Sequence, residues 1–302
     1  MPPSHPAEIR LDRALLGGWP MAANERGDKH ERGTVVVVGG SRGTPGAMLL
    51  AGAAALRMGA GRLQIATAPE VATSIAVAMP EALVIGLDPN DRASLVALVA
   101  AADAVVVGPG LSDLDEAAEL VALTLDQASP DAVIVFDALG ITALPVLRSR
   151  LAQRPSRVIV TPNREELESL LDGRRGPGRP ERVVAAEYGL TVVSFGCVAG
   201  PDGTTWVDPV GVTGLGTSGA GDVLAGAVGG AGARCHDAAQ AACWATLCHR
   251  LAATRLATAL APVGYLAREL ADEIAPALAE LADSGRGDRK GVADHNGETP
   301  RP

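Results

Sequence analysis

The chain has 302 residues, a formal net charge of -9 and 47% hydrophobic residues, but only 2% aromatic ones. That length suits one α/β domain, with a core that must be built from Ala, Val and Leu. The acidic balance argues against nucleic acid or an anionic membrane as the main partner, since both need a basic surface. Phosphates can still be bound locally by backbone N–H groups.

The opening "MPPSHPAEIR" lacks the apolar stretch of a secretion signal. No run reaches the ~18 to 20 apolar residues of a membrane span, so a cytoplasmic protein is expected. Residues 1–29 read as an N-terminal extension. From there the pattern is strand, then helix, repeatedly. "TVVVVGG" (34–40) is an apolar run ending in glycines, and an Ala/Leu-rich helix pattern follows at 46–58. "GRLQIAT" (61–67), "DAVVVG" (103–108), "DAVIVFD" (131–137), "SRVIVT" (156–161) and "LTVVSFG" (190–196) have the same strand character. Helix-like stretches lie between them, at 115–127 and 163–171. Continuous apolar strands alternating with helices predict a mostly parallel sheet covered on both faces, in three α/β/α layers.

"DGRRGPGRPE" (172–181) reads as a loop, and "CVAGPDGTTWV" (197–207) as a late β-hairpin around a Pro-Asp-Gly turn. After 218 the pattern is helical, with expected breaks at "GGAGARC" (229–235) and "APVG" (261–264). The last 19 residues, 284–302, offer no apolar face and are expected to be disordered. No linker divides 30–283, which is read as one domain. The four cysteines, Cys197, Cys235, Cys243 and Cys248, form no C-x-x-C pair. Cys248 adjoins His249, but zinc-ligand spacing is missing, so buried, reduced thiols are expected.

Ligands of open parallel sheets bind beyond the carboxyl ends of the strands. "GGSRGTPGA" (39–47), "GPG" (108–110), "DALG" (137–140) and "TPNREE" (161–166) all stand at strand exits. Each alone could be a turn; together they outline a site. Asn163 and Glu166 have the spacing of a capping box. They could also hold magnesium-bound phosphate through water, and the two roles can coexist. In "GLGTSGAGDVLAG" (214–226), Gly219, Ala220 and Gly221 directly precede Asp222. A helix starting there aims free N–H groups forward, where phosphate fits. Asp222 is then either a general base for a hydroxyl attacking phosphorus or a helix-start acid favoured by the dipole.

"TSGAGDVLAG" resembles the glycine-aspartate signature of the ribokinase-like superfamily. Within it, residues 30 to 281 are similar to the ADP-dependent NAD(P)H-hydrate dehydratases, the carbohydrate-kinase-related repair enzymes. "GGSRGTPGAMLLAGAAALRMGAGRLQIAT" carries the most specific part of the resemblance, since sugar kinases usually lack it. "MPEALV", "VGPGL", "VTPNREEL" and "GYLARELADEIAPAL" follow in the family's order. The resemblance implies a three-layer ribokinase-like fold. It implies nucleotide-dependent dehydration of the 6-hydroxy adduct back to NAD(P)H, with ADP or ATP as co-substrate and Mg2+.

It assigns catalysis to Asp222 and the anion hole to Ser218, Gly219, Ala220 and Gly221. Gly196 is placed along the nucleotide. Pro45, Gly46, Ala47, Gly110 and Asn163 are placed near the dinucleotide substrate, and Glu166 near the metal, through water. Partners would be NAD(P)H-hydrate, an adenine nucleotide and further copies of the chain. Four departures surround the nucleotide and catalytic loops. Thr-Pro-His reads Thr161-Pro162-Asn163. Gly-Gly-Ser/Thr-Gly-Asp reads Ser218-Gly219-Ala220-Gly221-Asp222. Lys-Gly after the late strand reads Phe195-Gly196, and Asp-Ala-x-Ala-Leu reads Asp137-Ala138-Leu139-Gly140-Ile141. Gly-Ala-Gly-Asp with Asn163 and Glu166 also suits a kinase of a small hydroxylated metabolite. The lost lysine also suits a weakly active nucleotide-binding paralogue.

Overall fold

The computed structural model describes residues 8–21, 31–88, 90, 92–176 and 178–287. The elements run β1 (Ile9–Arg10), α1 (Arg13–Gly18), β2 (Thr34–Gly39), α2 (Gly46–Arg57), β3 (Arg62–Thr67), α3 (Pro69–Ala78) and β4 (Ala82–Gly86). Then come α4 (Ala93–Ala101), β5 (Ala104–Val107), α5 (Leu114–Gln127), β6 (Val133–Phe136), α6 (Leu139–Thr142) and α7 (Arg148–Leu151). β7 (Val158–Val160), α8 (Arg164–Leu171), α9 (Pro180–Tyr188), β8 (Thr191–Ser194), β9 (Cys197–Ala199) and β10 (Thr205–Val207) follow. The chain closes on α10 (Ala220–Cys235), α11 (Ala238–Ala259) and α12 (Ala267–Gly287).

The strands form one sheet in the order β1-β10-β9-β8-β7-β6-β5-β2-β3-β4. Neighbours from β8 to β4 are parallel. β9 runs antiparallel to both β8 and β10, which is the expected late hairpin. Alternation along each strand sorts side chains to two cores. Val35, Val37, Val106 and Val135 face α2, α10 and α11. Val36, Val38, Val107 and Phe136 face α4, α5 and α8. Both faces are covered, which is why these strands are apolar at every position. β2 lies between β3 and β5, so the strand order reverses there and a crevice opens at the strand exits.

One expected helix break is absent. Helix α10 does not break at 229–235; it continues to Cys235. The glycines there are packing residues. A Cβ on Gly226 would lie 2.0 Å from the Ala51 carbonyl oxygen, and one on Gly230 would lie 2.4 Å from that of Ala55, both on α2. On the sheet side, a Cβ on Gly229 would meet Val106 at 2.4 Å, and one on Gly232 would meet Val133 at 2.8 Å. Each glycine costs about 1 kcal/mol of helix propensity, which close packing on two faces offsets. The expected break at 261–264 is present, between α11 and α12.

Residues 8–21, assigned from sequence to an extension, are knit to the sheet. β1 pairs parallel with β10, Asp12 caps α1, and Leu11 and Leu16 are buried. The Trp19 carbonyl accepts hydrogen bonds from Trp244 Nε1 at 2.9 Å and Gln240 Nε2 at 3.1 Å. Helix α12 runs to Gly287, past the boundary expected at 283; residues 288–302 of the expected tail lie outside the described residues.

The glycine packing predicts a clear outcome. Gly226→Ala lowers the melting temperature, by overpacking worth about 1–3 kcal/mol, whereas Gly43→Ala, where a Cβ would meet nothing within 4 Å, leaves it nearly unchanged. A helix-propensity gain at Gly226 in thermal melts would contradict the packing account.

Candidate active site

Five chain segments converge at the strand exits. Gly40 N–H donates to the Pro109 carbonyl at 2.8 Å, tying the exit of β2 to that of β5. Thr44 Oγ1 donates to the Gly110 carbonyl at 2.7 Å, and a Cβ on Gly110 (φ +69) would meet Ala47 at 2.9 Å. Gly110, Pro45, Gly46 and Ala47 are thereby one substructure. A Cβ on Gly108 (φ +126) would lie 1.8 Å from the Asp137 carbonyl oxygen, so β5 and β6 also leave the sheet backbone to backbone.

The fourth segment starts α8. Asn163 accepts from Glu166 N–H at 3.0 Å, and Glu166 Oε2 accepts from Asn163 N–H at 2.8 Å. The capping box is therefore present. It leaves the other Glu166 carboxylate oxygen outside the reciprocal pair, so the ligand role is compatible with it.

The fifth is the N-terminus of α10. Gly219 is its cap, with φ +87. A Cβ there would strike Leu50 of α2 at 2.6 Å and lie 3.7 Å from Asp222 Oδ2. A Cβ on Gly221 or Gly46 would meet nothing within 4 Å, so both backbones are open to a ligand. Ser218 is exposed and Ala220 is buried.

Ala220 is pinned from behind. His249 of α11 is buried, and its Nε2 lies 3.0 Å from the Ala220 carbonyl oxygen. Burial pushes the imidazole down to about 4. It is neutral at physiological pH, and Nε2 must carry the hydrogen, because a carbonyl only accepts.

Three carboxyl groups share this end of the sheet. Burial pushes Asp222 up to about 6. Asp137, at the exit of β6, is pushed up to about 7, first by burial and then by the charges of Asp222 and Glu166, against the hydrogen bond that Thr161 Oγ1 donates at 2.7 Å. Glu166 is raised as well, chiefly by burial. Magnesium takes hard oxygen ligands from one or two carboxylates together with phosphates. Glu166 and Asp137 are such donors, and among the described residues no group of three His, Cys, Asp or Glu side chains forms a dedicated metal cage.

Beside Gly221 lies a cavity of about 380 Å³. Asn163, Gly196, Ala220 and Gly221 line it; Ser218, Gly219, Asp222, Glu166, Gly110 and the 45–47 turn lie outside its wall. Its wall also holds His249, Thr246 and the ion-paired Asp208 and Arg250. Sequence reasoning missed these four. Three sit within the 22-residue helix α11, where nothing local distinguishes them from core. Asp137 was visible as part of a polar strand exit and of a departure from the family's pattern. Of the cysteines, Cys197, Cys243 and Cys248 are buried and Cys235 is partly so, all as free thiols.

The profile of the family described as NAD(P)H-hydrate dehydratase matches residues 35–276. The chain belongs to this family. An ADP-dependent (S)-NAD(P)H-hydrate dehydratase of Xanthomonas campestris is 43% identical over 283 residues, covering 89% of this chain and 95% of the relative. A bifunctional NAD(P)H-hydrate repair enzyme of Gloeobacter violaceus is 32% identical over 90% of this chain; the chain spans 55% of that enzyme's length. Among solved structures, the ADP/ATP-dependent NAD(P)H-hydrate dehydratase of Bacillus subtilis, co-crystallized with ATP/Mg2+, superposes with a TM-score of 0.72 at 25% identity. It covers 91% of this chain and 99% of its own. The ribokinase-like layering implied by resemblance is therefore the fold this family member has. No helix among the described residues is long and apolar enough to cross a membrane.

The raised Asp222 carboxyl predicts a pH-dependent stability effect. Its folded value, about 6, exceeds its ordinary value of 3.8. The folded state therefore holds the proton more tightly, and stability falls as pH rises from about 4 to about 6. Asp222→Asn should raise the melting temperature at pH 8 by the equivalent of about 1–2 kcal/mol, and the gain should vanish near pH 4. A lower melting temperature at pH 8 would mark Asp222 as a dipole-stabilised helix acid instead.

Proposed function

We propose that this chain removes water from hydrated NAD(P)H in an ADP-dependent reaction, giving NAD(P)H, AMP and phosphate. One observation carries the reading: in a chain of this family, a partly desolvated carboxyl, Asp222, stands in the first turn of α10, behind Gly221, whose backbone is open to an anion. A carboxylate beside phosphate is normally penalised by repulsion. It is explained if it takes a proton in the reaction.

On this reading the nucleotide lies in the cavity beside Gly196 and Gly221. Its phosphates meet the N–H groups of 218–221, where the helix dipole favours negative charge. The dinucleotide lies along Pro45, Gly46, Ala47 and Gly110, with Asn163 at the junction. Asp222 accepts the proton of the ring hydroxyl as its oxygen attacks the terminal phosphorus of ADP, and AMP departs. The ring nitrogen lone pair then expels phosphate, and the neighbouring ring carbon gives up a proton to restore the double bond. Glu166 and Asp137 would hold magnesium, which would supply charge neutralisation. His249 holds the anion-hole backbone through Ala220.

Residues 30–283 are proposed as the catalytic domain, in the cytoplasm. A homo-oligomer belongs to the same reading, supported by the exposed Leu83 on edge strand β4 and the exposed Val77 on α3. The kinase alternative has less support, since the family profile and the 43% relative are both of dehydratases.

The test is turnover of hydrated NADH with ADP, followed by recovery of reduced-nicotinamide absorbance. Asp222→Asn should lose ~10²- to 10⁴-fold in rate while ADP binding holds or tightens. Recovery absent in the wild type, with phosphoryl transfer to a sugar or vitamin alcohol instead, would restore the kinase reading.

A further inference from the structure

Phe195 stands where backbone physics least favours it. Ser194 pairs with Cys197 across a two-residue hairpin. Both central residues, Phe195 (φ +48) and Gly196 (φ +75), are left-handed, as a type I′ turn requires. Such turns select Asn-Gly or Gly-Gly; a bulky side chain at positive φ is strained. Phe195 is also 64% exposed. Backbone strain and apolar exposure both count against this residue, so its presence needs a reason other than the turn.

Its surroundings supply one. The ring lines the 380 Å³ cavity beside Gly196 and Asn163, and it also lines a neighbouring cavity with Arg164. The Arg164 guanidinium lies 5.1 Å from the ring centroid. Arg164 is the first residue of α8, where the helix dipole disfavours a cation. Two locally unfavourable placements thus meet in one contact at the edge of the nucleotide cavity. The wall of that cavity is largely apolar, with Val193, Val210, Leu215 and Leu224 among its residues. An aromatic ring in a cavity with such a wall suits a planar base.

We propose that Phe195 is the base-stacking residue of the nucleotide site and that Arg164 is the positioning residue that holds its ring. The inference rests on the nucleotide-dependent reading above. It also accounts for the departure from Lys-Gly: the chain replaces a charge that would attract phosphate with a surface that stacks the base. Affinity then depends on the base more than on salt.

Calorimetry with ADP and with inorganic pyrophosphate, which has the phosphates but no base, tests this on the full chain. Phe195→Ala should weaken ADP binding about 5- to 100-fold and leave pyrophosphate binding unchanged, and Phe195→Trp should retain ADP affinity. Phe195→Gly should bind ADP as poorly as Phe195→Ala yet melt higher than wild type, because it removes the strain; a merely structural residue would not separate the two. Arg164→Ala should weaken ADP binding in the wild-type background and have no effect in the Phe195→Ala background.

Wild-type ADP affinity in Phe195→Ala, or equal losses for ADP and pyrophosphate, would overturn the stacking role. Additive effects of the two substitutions would overturn the positioning role. A wild-type protein that binds no ADP would instead bring down the functional reading itself.

Discussion

The contact on which the site depends is the close approach of α10 to α2 and to the sheet. Gly226 and Gly230 bring the two helix backbones together, and Gly229 and Gly232 let α10 settle onto Val106 and Val133. A chain with 2% aromatic residues cannot fill wide gaps between layers, so its layers must come close. The two helices run side by side in the same sense, since Gly226 meets Ala51 and Gly230 meets Ala55. Their N-termini therefore open at the same end as the strand exits, and Gly219 touches Leu50. The proposed anion hole and dinucleotide turn are thus held by one helix pair, with His249 bracing the Ala220 carbonyl from α11. Rigid supports of this kind hold a catalytic group in place without reorganisation during reaction.

The second constraint is electrostatic. Asp137, Asp222 and Glu166 are all raised by burial, and Asp137 also feels the other two. Such coupled groups lose protons in sequence rather than together. Burial raises both Asp137 and Asp222, and the charge of Asp222 raises Asp137 further. A cation bound among these groups would lower all three, and phosphate at the α10 terminus would raise Asp222.

Most of the architecture was legible in the sequence because strand apolarity and glycine exits are local signals. "TVVVVGG" and "DAVVVG" announce buried parallel strands, and Asn163 with Glu166 announces a capped helix. The glycine run at 229–235 misled for a physical reason: glycine breaks a helix by its own propensity, but not where helix and sheet approach too closely for any Cβ. Residues 8–21 were unreadable because two short elements show no period, and their place is decided by Trp19 against Trp206 and Trp244. At the candidate site, Asp222 and its glycines stood out as a cluster. His249 and Arg250 did not, because a helix buried along most of its length offers no contrast between core and site.

The central claim is that a carboxylate raised by burial acts as the base beside bound phosphate. The most direct measurement is the pH dependence of kcat/KM for hydrated NADH at saturating ADP. The account predicts an acid limb with a midpoint above the ordinary carboxylate range, because burial raises Asp222, below which the rate falls about tenfold per pH unit as one proton occupies it. A rate that stays flat from pH 7 down to pH 5 would contradict it.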